Sequence, residues 1–295
     1  MNEFIEVEQD CLHRFIFEQT NIRGELVHLD ETCQSIFENQ DYPLPVQLLL
    51  GELLAAAALL SATIKISGSL HLQLQGDGPV SLLLVQAGAD RALRGVAKWE
   101  GVNSDDGFNT LIKNARLSIT IDPGEGGERY QGLVEVVGDS LAAALENYFQ
   151  QSEQLKTRLW LAADEASAGG LLLQQLPGET DDLDAWSREA ALSETVTNDE
   201  LLTLPAMTLL HRLFHEENVR VFKAEAFRFY CACSRERIES VLRGLGAGEV
   251  HSIIKEQGAI DVQCEFCGKQ YVFDTVDAQS LFVDISQSGS ASTKH

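Results

Sequence analysis

Two close pairs of cysteines near the C-terminus offer the clearest chemistry in the sequence: Cys231-Ala232-Cys233 and Cys264-Glu265-Phe266-Cys267, with residues 234–263 between them. Each pair can bend back on one ion, so four thiolates reach a tetrahedron around Zn²⁺ at about 2.3 Å per bond. Four unrelated thiols, or two structural disulfides, are the competing readings. Tight pairing in a chain without secretory features favours zinc, with Cys231, Cys233, Cys264 and Cys267 as its ligands and one ion per chain.

The first pair is unusual for a structural knuckle, which commonly offers Cys-x-x-Cys. Cys-x-Cys puts two sulfurs close enough to bond to each other once a metal leaves, and so short a disulfide loop is strained. Strain raises the reduction potential, and labile disulfides are those with high potentials. Spacing therefore permits a redox sensor as well as a staple. Cys11 and Cys33 have no partner at metal spacing and read as ordinary small residues.

Around these pairs the sequence predicts a small domain. Ser234 is a good N-cap for a helix over Arg235–Arg243, with Ile238, Val241 and Leu242 as its apolar stripe and Gly244 as its stop. A second helix is expected over 249–256, stopped by Gly258. Ala259–Gln263 and Lys269–Phe273 flank the second cysteine pair as a hairpin. So few apolar residues cannot hold the segment folded alone, and a metal must supply much of the folding energy.

The chain has 295 residues, 44% of them hydrophobic, enough for one large packed domain beside the small one. Its formal net charge of −23 repels phosphate backbones and anionic lipid, so nucleic acid and membrane are not expected partners. Residues 1–10 lack a basic stretch followed by an apolar run, so no signal peptide is expected and the reading places the chain in the cytoplasm. The apolar stretch 44–66 approaches a membrane span in length. Gln47, Gly51, Glu52 and Lys65 interrupt it, which points to a buried core helix started by Pro43 and Pro45.

Elsewhere, alternation predicts a strand, a turn near Asn21–Gly24 and a second strand within 13–29. Further strands are expected over 69–75, 80–85, 93–98, 116–121, 130–137, 157–163 and 170–176, with a helix from Ser140 to about Gln151. The glycines of 122–127 read as turn residues, since no Lys-Ser/Thr follows them. From Gly178 to Glu200 eight acidic residues stand against Arg188 alone, which predicts marginal stability. Helical periodicity returns over 201–215, with Leu202, Met207, Leu210 and Leu213 available to pack. His211 and His215 lie four apart there, but the zincin pattern is absent and no metal is assigned to them. The fold class is α+β: a mixed α/β domain over 1–177, an acidic and helical linker over 178–230, and a zinc-binding domain over 231–295.

With those residues in view, the sequence resembles the heat-shock protein 33 family, redox-switched holdase chaperones of bacteria. The resemblance rests on the two cysteine pairs with their surroundings, Cys231-Ala-Cys-Ser-Arg-Glu-Arg237 and Cys264-Glu-Phe-Cys-Gly268. Gly138-Asp-Ser-Leu-Ala142, Tyr148-Phe-Gln-Gln-Ser-Glu-Gln-Leu155 and His215-Glu-Glu217 are similar to the family's other signatures. Lys156 departs from it, standing where the family commonly has proline. The resemblance implies a protein that is inactive when reduced and zinc-bound. On oxidation with unfolding it would form the disulfides Cys231–Cys233 and Cys264–Cys267 and release zinc. It would then bind unfolding client proteins as a homodimer, without ATP.

Two other classes compete. A zinc-ribbon regulator of nucleic acid is allowed locally by Arg228, Arg235, Arg237 and Arg243, but Glu225, Glu236, Glu239 and the overall charge oppose it. A thiol-disulfide oxidoreductase would carry Cys-x-x-Cys at a strand-to-helix turn, not in a hairpin beside a second pair. No nucleophile triad or paired-carboxylate site is readable, so catalysis is not expected.

Overall fold

The computed structural model describes residues 9–64, 67–124, 126–178 and 180–287. Lys65, Ile66, Glu125 and Glu179, which entered the sequence reading, lie outside the described residues, as do residues 1–8 and 288–295. The chain forms a mixed α/β structure in two compact units, one ending at Tyr230 and the other beginning at Cys231.

The first unit is organised by an almost uniformly apolar helix. In chain order its elements are β1 (Cys11–Phe17), β2 (Ile22–Leu29), α1 (Glu31–Phe37), α2 (Leu44–Thr63), β3 (Ser69–Gln75), β4 (Val80–Gly88), β5 (Ala92–Trp99), α3 (Phe108–Leu111), β6 (Arg116–Asp122) and β7 (Tyr130–Glu135). There follow α4 (Leu141–Tyr148), a π-helical turn Phe149–Glu153, β8 (Thr157–Ala163), β9 (Ala168–Gln175), α5 (Ala185–Ser193), α6 (Asn198–Thr203), α7 (Ala206–Phe214), β10 (Val219–Val221), β11 (Glu225–Ala226) and β12 (Arg228–Phe229). Helix α2 packs against strands of both large sheets. One sheet runs β10-β1-β2-β9-β8, with β11 also on β1; the other runs β12-β5-β4-β3-β6-β7.

A helix flanked by two sheets must be apolar all round, which is why α2 is long and apolar enough to cross a bilayer yet mostly buried in the protein. Its small residues let the sheets close in. A Cβ on Gly51 would stand 2.7 Å from that of Ala163 on β8, so only glycine fits there. The expected strand 69–75 occurs as β3, its Leu70, Leu72 and Leu74 all buried in the shared core. Between β1 and β2 the turn spans residues 18–21, so of the expected Asn21–Gly24 only Asn21 belongs to it. Gly24 lies within β2, because the Phe15 ring covers it and a Cβ would fall 2.1 Å from the ring.

A second core fills the other face of the β1-containing sheet, where Phe15, Phe17 and Leu171 meet Leu210, Leu213 and Phe214. Residues 201–215 are not one helix: α6 ends at Thr203 and α7 begins after Pro205. Proline lacks the N–H that a continuous helix needs and biases Leu204 to extended backbone. Met207 is exposed rather than packed, since Leu209 takes the inward position. The acidic stretch carries α5, an element the charge count did not predict. Its one basic residue, Arg188, reaches Asp182 at 2.8 Å, Glu217 at 2.8 Å and Glu189 at 3.3 Å.

The chain beyond α7 is stitched to both sheets. Strand β10 and strand β11 pair with β1, and β12 pairs in parallel with β5. Glu225 on β11 binds Arg14 and Arg91 at 2.5 Å each, and Arg228 reaches Asp90 at 2.5 Å.

The second unit comprises α8 (Arg235–Leu245), α9 (Ala247–Gln257), β13 (Ile260–Gln263), β14 (Gln270–Phe273) and α10 (Thr275–Gln287). Ser234 caps α8 as expected, its hydroxyl accepting from Arg237 N at 3.3 Å. The helix runs through Gly244 and stops at Gly246, whose φ of 90° suits glycine. Val241 is exposed, so Leu242 and Ile238 alone carry the inward stripe.

Candidate metal centre

Both cysteine pairs are held by backbone contacts that their neighbours dictate. Cys231 and Cys233 precede the N-cap of α8, and Arg237, one turn into that helix, donates Nη1 to the carbonyl of Ala232 at 2.9 Å. The residue between the two sulfurs is thereby fixed. Cys264 and Cys267 occupy the turn of the β13–β14 hairpin, closed by Cys264 N to Lys269 O and Gly268 N to Cys264 O at 2.9 Å each. Gly268 has a φ of 66°, which glycine adopts without strain.

The four thiol sulfurs lie within 4.8 Å of one another. Cys231 Sγ stands 3.7 Å from Cys264 Sγ, and Cys233 Sγ 3.3 Å from Cys267 Sγ. A tetrahedron with metal–sulfur bonds of about 2.3 Å has edges of about 3.8 Å, so the cluster is close to the size one ion requires. All four cysteines are half-buried and none is in a disulfide. The donor set fits a thiophilic ion, Zn²⁺ first among them.

Electrostatics at the site are uneven. Burial pushes the Cys267 thiol well up and raises that of Cys264. At Cys233 burial acts the same way but is outweighed by hydrogen bonds from the Tyr271 hydroxyl and the other sulfurs, which hold it at about 7. Tyr271 Oη donates to Cys233 Sγ at 3.2 Å. Four sulfurs so close would repel one another as thiolates, and a divalent cation at their centre removes that cost. Tyr271 escaped the sequence reading as a contact of the site, and Arg237 was read there as part of the cysteine motif and as a possible nucleic-acid contact, not as the residue that holds the Ala232 carbonyl. The only signal for Tyr271 is its inward register on β14, where it is buried with Phe273.

The remaining candidates lie apart from this cluster. Cys33 is fully buried, its thiol raised by burial, and Cys11 is half-buried on β1. The His211 and His215 rings are 5.9 Å apart on α7. Among the described residues the four cysteines form the one group of three or more His, Cys, Asp or Glu side chains close enough to share an ion. The core beneath them is small: Leu242, Val250, Ile260, Tyr271, Phe273 and Leu281 are its main members, with Cys233 packed against it.

A family model described as Hsp33 protein matches residues 10–274. A 33 kDa chaperonin of Nitrosococcus oceani is 50% identical over 287 residues, covering 97% of this chain and 99% of its own. One from Methylobacillus flagellatus is 48% identical over 276 residues, covering 92% and 94% respectively. Among solved structures, the 33 kDa chaperonin (heat shock protein 33 homolog) of Thermotoga maritima matches with a TM-score of 0.83 over 94% of this chain and 99% of that one. At 20% identity this is a likeness of fold.

Proposed function

The chain belongs to the Hsp33 family, and from that premise we propose that it is a redox-regulated, ATP-independent chaperone, inactive when reduced and active when its cysteine pairs are oxidised. The observation that carries the reading is the four-sulfur cluster on a unit with so small a core. Cys231, Cys233, Cys264 and Cys267 would hold one Zn²⁺, which when bound keeps the four sulfurs as thiolates and adds its binding energy to the folding of the second unit.

Oxidation supplies the switch. Two thiols and one hydrogen peroxide give one disulfide and two waters, so each pair loses two electrons and the oxidant takes them. A disulfide withdraws two of the four donors, and the ligand set no longer exists. The second unit, with few buried apolar residues, then loses its main support.

Tyr230 and Cys231 are consecutive, so an unfolded second unit frees the chain at the end of β12. The stretch after α7 is attached by two- and three-residue strands, and those open more readily than the long strands of the sheets. Its release, followed by that of α5–α7, uncovers Phe15, Phe17, Leu210 and Phe214, an apolar surface suited to unfolding clients. The active form is a homodimer acting in the cytoplasm, and it performs no catalysis.

The test is an aggregation assay with a thermally unfolding client, comparing reduced zinc-loaded protein with peroxide-treated protein. Suppression only by the oxidised form supports the reading; equal activity in both removes the redox switch.

A further inference from the structure

A cavity of about 320 Å³ lies at the C-terminal end of α2, lined from both sheets and by the π-helical turn. That is at the lower end of the roughly 300–1,000 Å³ of small-molecule sites. Its walls are apolar, with Leu60, Ile119, Ile121 and Phe149 among them, while Arg23 and Glu153 supply its charge.

The two charges are not equivalent. Glu153 Oε1 accepts from Tyr130 Oη at 3.1 Å and Tyr148 Oη at 3.0 Å, so its carboxylate is well satisfied. Arg23 is less completely hydrogen-bonded. Its Nη2 donates to Gln174 Oε1 at 2.6 Å, and its two Nη atoms stand 3.4 and 3.5 Å from the Thr63 carbonyl. Its Nε is buried without a hydrogen-bond partner. The buried carboxyl of Glu25, two residues along β2, feels the Arg23 charge, but among the described residues no carboxylate oxygen hydrogen-bonds to Arg23. Capping the last turn of α2 accounts for the Thr63 contact, but it leaves Nε unused. A buried guanidinium donor left over costs free energy unless an acceptor arrives.

The backbone here is also irregular. Helix α4 widens into the π turn Phe149–Glu153, and Gln154 follows at a φ of 55°. Such turns and left-handed non-glycine residues concentrate at binding sites. The stretch Tyr148–Leu155, conspicuous in the sequence, thus lines a cavity that the cysteine chemistry does not use.

We propose that this cavity binds a small amphipathic carboxylate, a medium-chain fatty acid, with its chain against Leu60, Ile121 and Phe149 and its carboxylate on Arg23. The site is distinct from the cysteine cluster and independent of the redox state. Occupancy joins strands of both sheets and stabilises the first unit by mass action.

Decanoate is the probe, titrated calorimetrically into the reduced full-length chain below its micellar concentration, with decanol and decylamine as controls. Saturable binding of one decanoate per chain is expected, with decanol and decylamine at least tenfold weaker. Arg23→Gln is expected to weaken decanoate at least tenfold while leaving decanol unchanged. Ile121→Trp, which fills the cavity with Arg23 intact, is expected to abolish binding of both; it decides the matter should Arg23→Gln fail to fold. Absence of saturable binding to the unmodified chain, equal affinity for decanol, or unchanged decanoate affinity in Ile121→Trp overturns the proposal.

Discussion

The Sγ atoms of Cys233 and Cys267 stand 3.3 Å apart, and those of Cys231 and Cys264 3.7 Å, so the folded site brings sulfurs of different pairs into contact. Proximity in the folded state therefore gives no preference to neighbours in sequence. Once the unit has unfolded, loop length decides. Closing a 34-residue loop in place of a three-residue one costs about 2 kcal/mol more by chain entropy. The expected products are Cys231–Cys233 and Cys264–Cys267, the second forming first because Cys-x-x-Cys reaches disulfide geometry with less distortion. Peptide mapping of non-reduced protein checks this; predominant Cys231–Cys264 linkage would contradict it.

Each of the four cysteines is expected to matter to the metal, and the other two are not. Single Cys→Ser variants at 231, 233, 264 and 267 should lose tight zinc binding, with the second unit unfolding on chelation. Cys11→Ser and Cys33→Ser should keep one zinc per chain. Metal analysis beside far-UV circular dichroism reads both, and undiminished zinc in any one of the first four would exclude that residue as a ligand.

Glu225 fastens β11 to the first unit through Arg14 and Arg91. Hydrogen bonds to charged partners contribute on the order of 2 kcal/mol, and this site is one-quarter exposed, which screens part of it. Glu225→Gln should cost about 1 kcal/mol and speed hydrogen exchange over 219–229 while β3–β6 exchange is unchanged. Uniform acceleration across the unit would show that β11 does not open on its own.

Glu25 gives a pH signature. It is 2% exposed with Oε2 unpartnered, and burial raises its pKa to about 8 against the opposing pull of Arg23, Arg14 and Arg91. An acid whose folded pKa is raised favours folding fully below its unfolded value, near 4.5, and that contribution is lost as pH rises through about 8. Glu25→Gln removes the dependence. Its stability relative to the unmodified chain, from urea unfolding, should rise by a few kcal/mol between pH 5.5 and pH 8.5. A constant difference across that range would show that Glu25 is ionised in the folded state.

Much of this architecture was legible because the sequence states it locally. Leu70, Leu72 and Leu74 alternate as a half-buried strand must, Ser234 announces α8, and the cysteine spacing alone brought four sulfurs to one point. The unreadable parts depend on distant partners. Helix α5 is held by Ala185, Trp186 and Leu192 in the second core and by Arg188, which gathers Asp182, Glu189 and Glu217, the last of them 29 residues away. Strands β10–β12 are too short to show a period and are specified by β1 and β5. The break at Pro205 was available in the sequence, since proline cannot continue a helix, and the apolar periodicity across it was misleading.

The order of the proposed switch can be tested through the layer that covers the first sheet. Leu210 is 3% exposed and belongs to the cluster that includes Phe15, Phe17 and Phe214. Leu210→Asp replaces apolar contact with a carboxylate that has no partner there, at a cost on the order of 3 kcal/mol. The damage falls on α5–α7 and not on the cysteines, so zinc content and the thiol count of the reduced variant should be unchanged. If release of this layer follows oxidation and exposes the client surface, the variant should suppress aggregation at a lower peroxide dose. Its Cys231–Cys233 pair should also oxidise at a temperature where the unmodified chain stops after Cys264–Cys267. Thiol trapping over time at two temperatures, with aggregation read in parallel, gives both. Simultaneous loss of all four thiols in the cold, or an unshifted peroxide dose, would uncouple the layer from the cysteines and leave a zinc-dependent fold without an ordered switch.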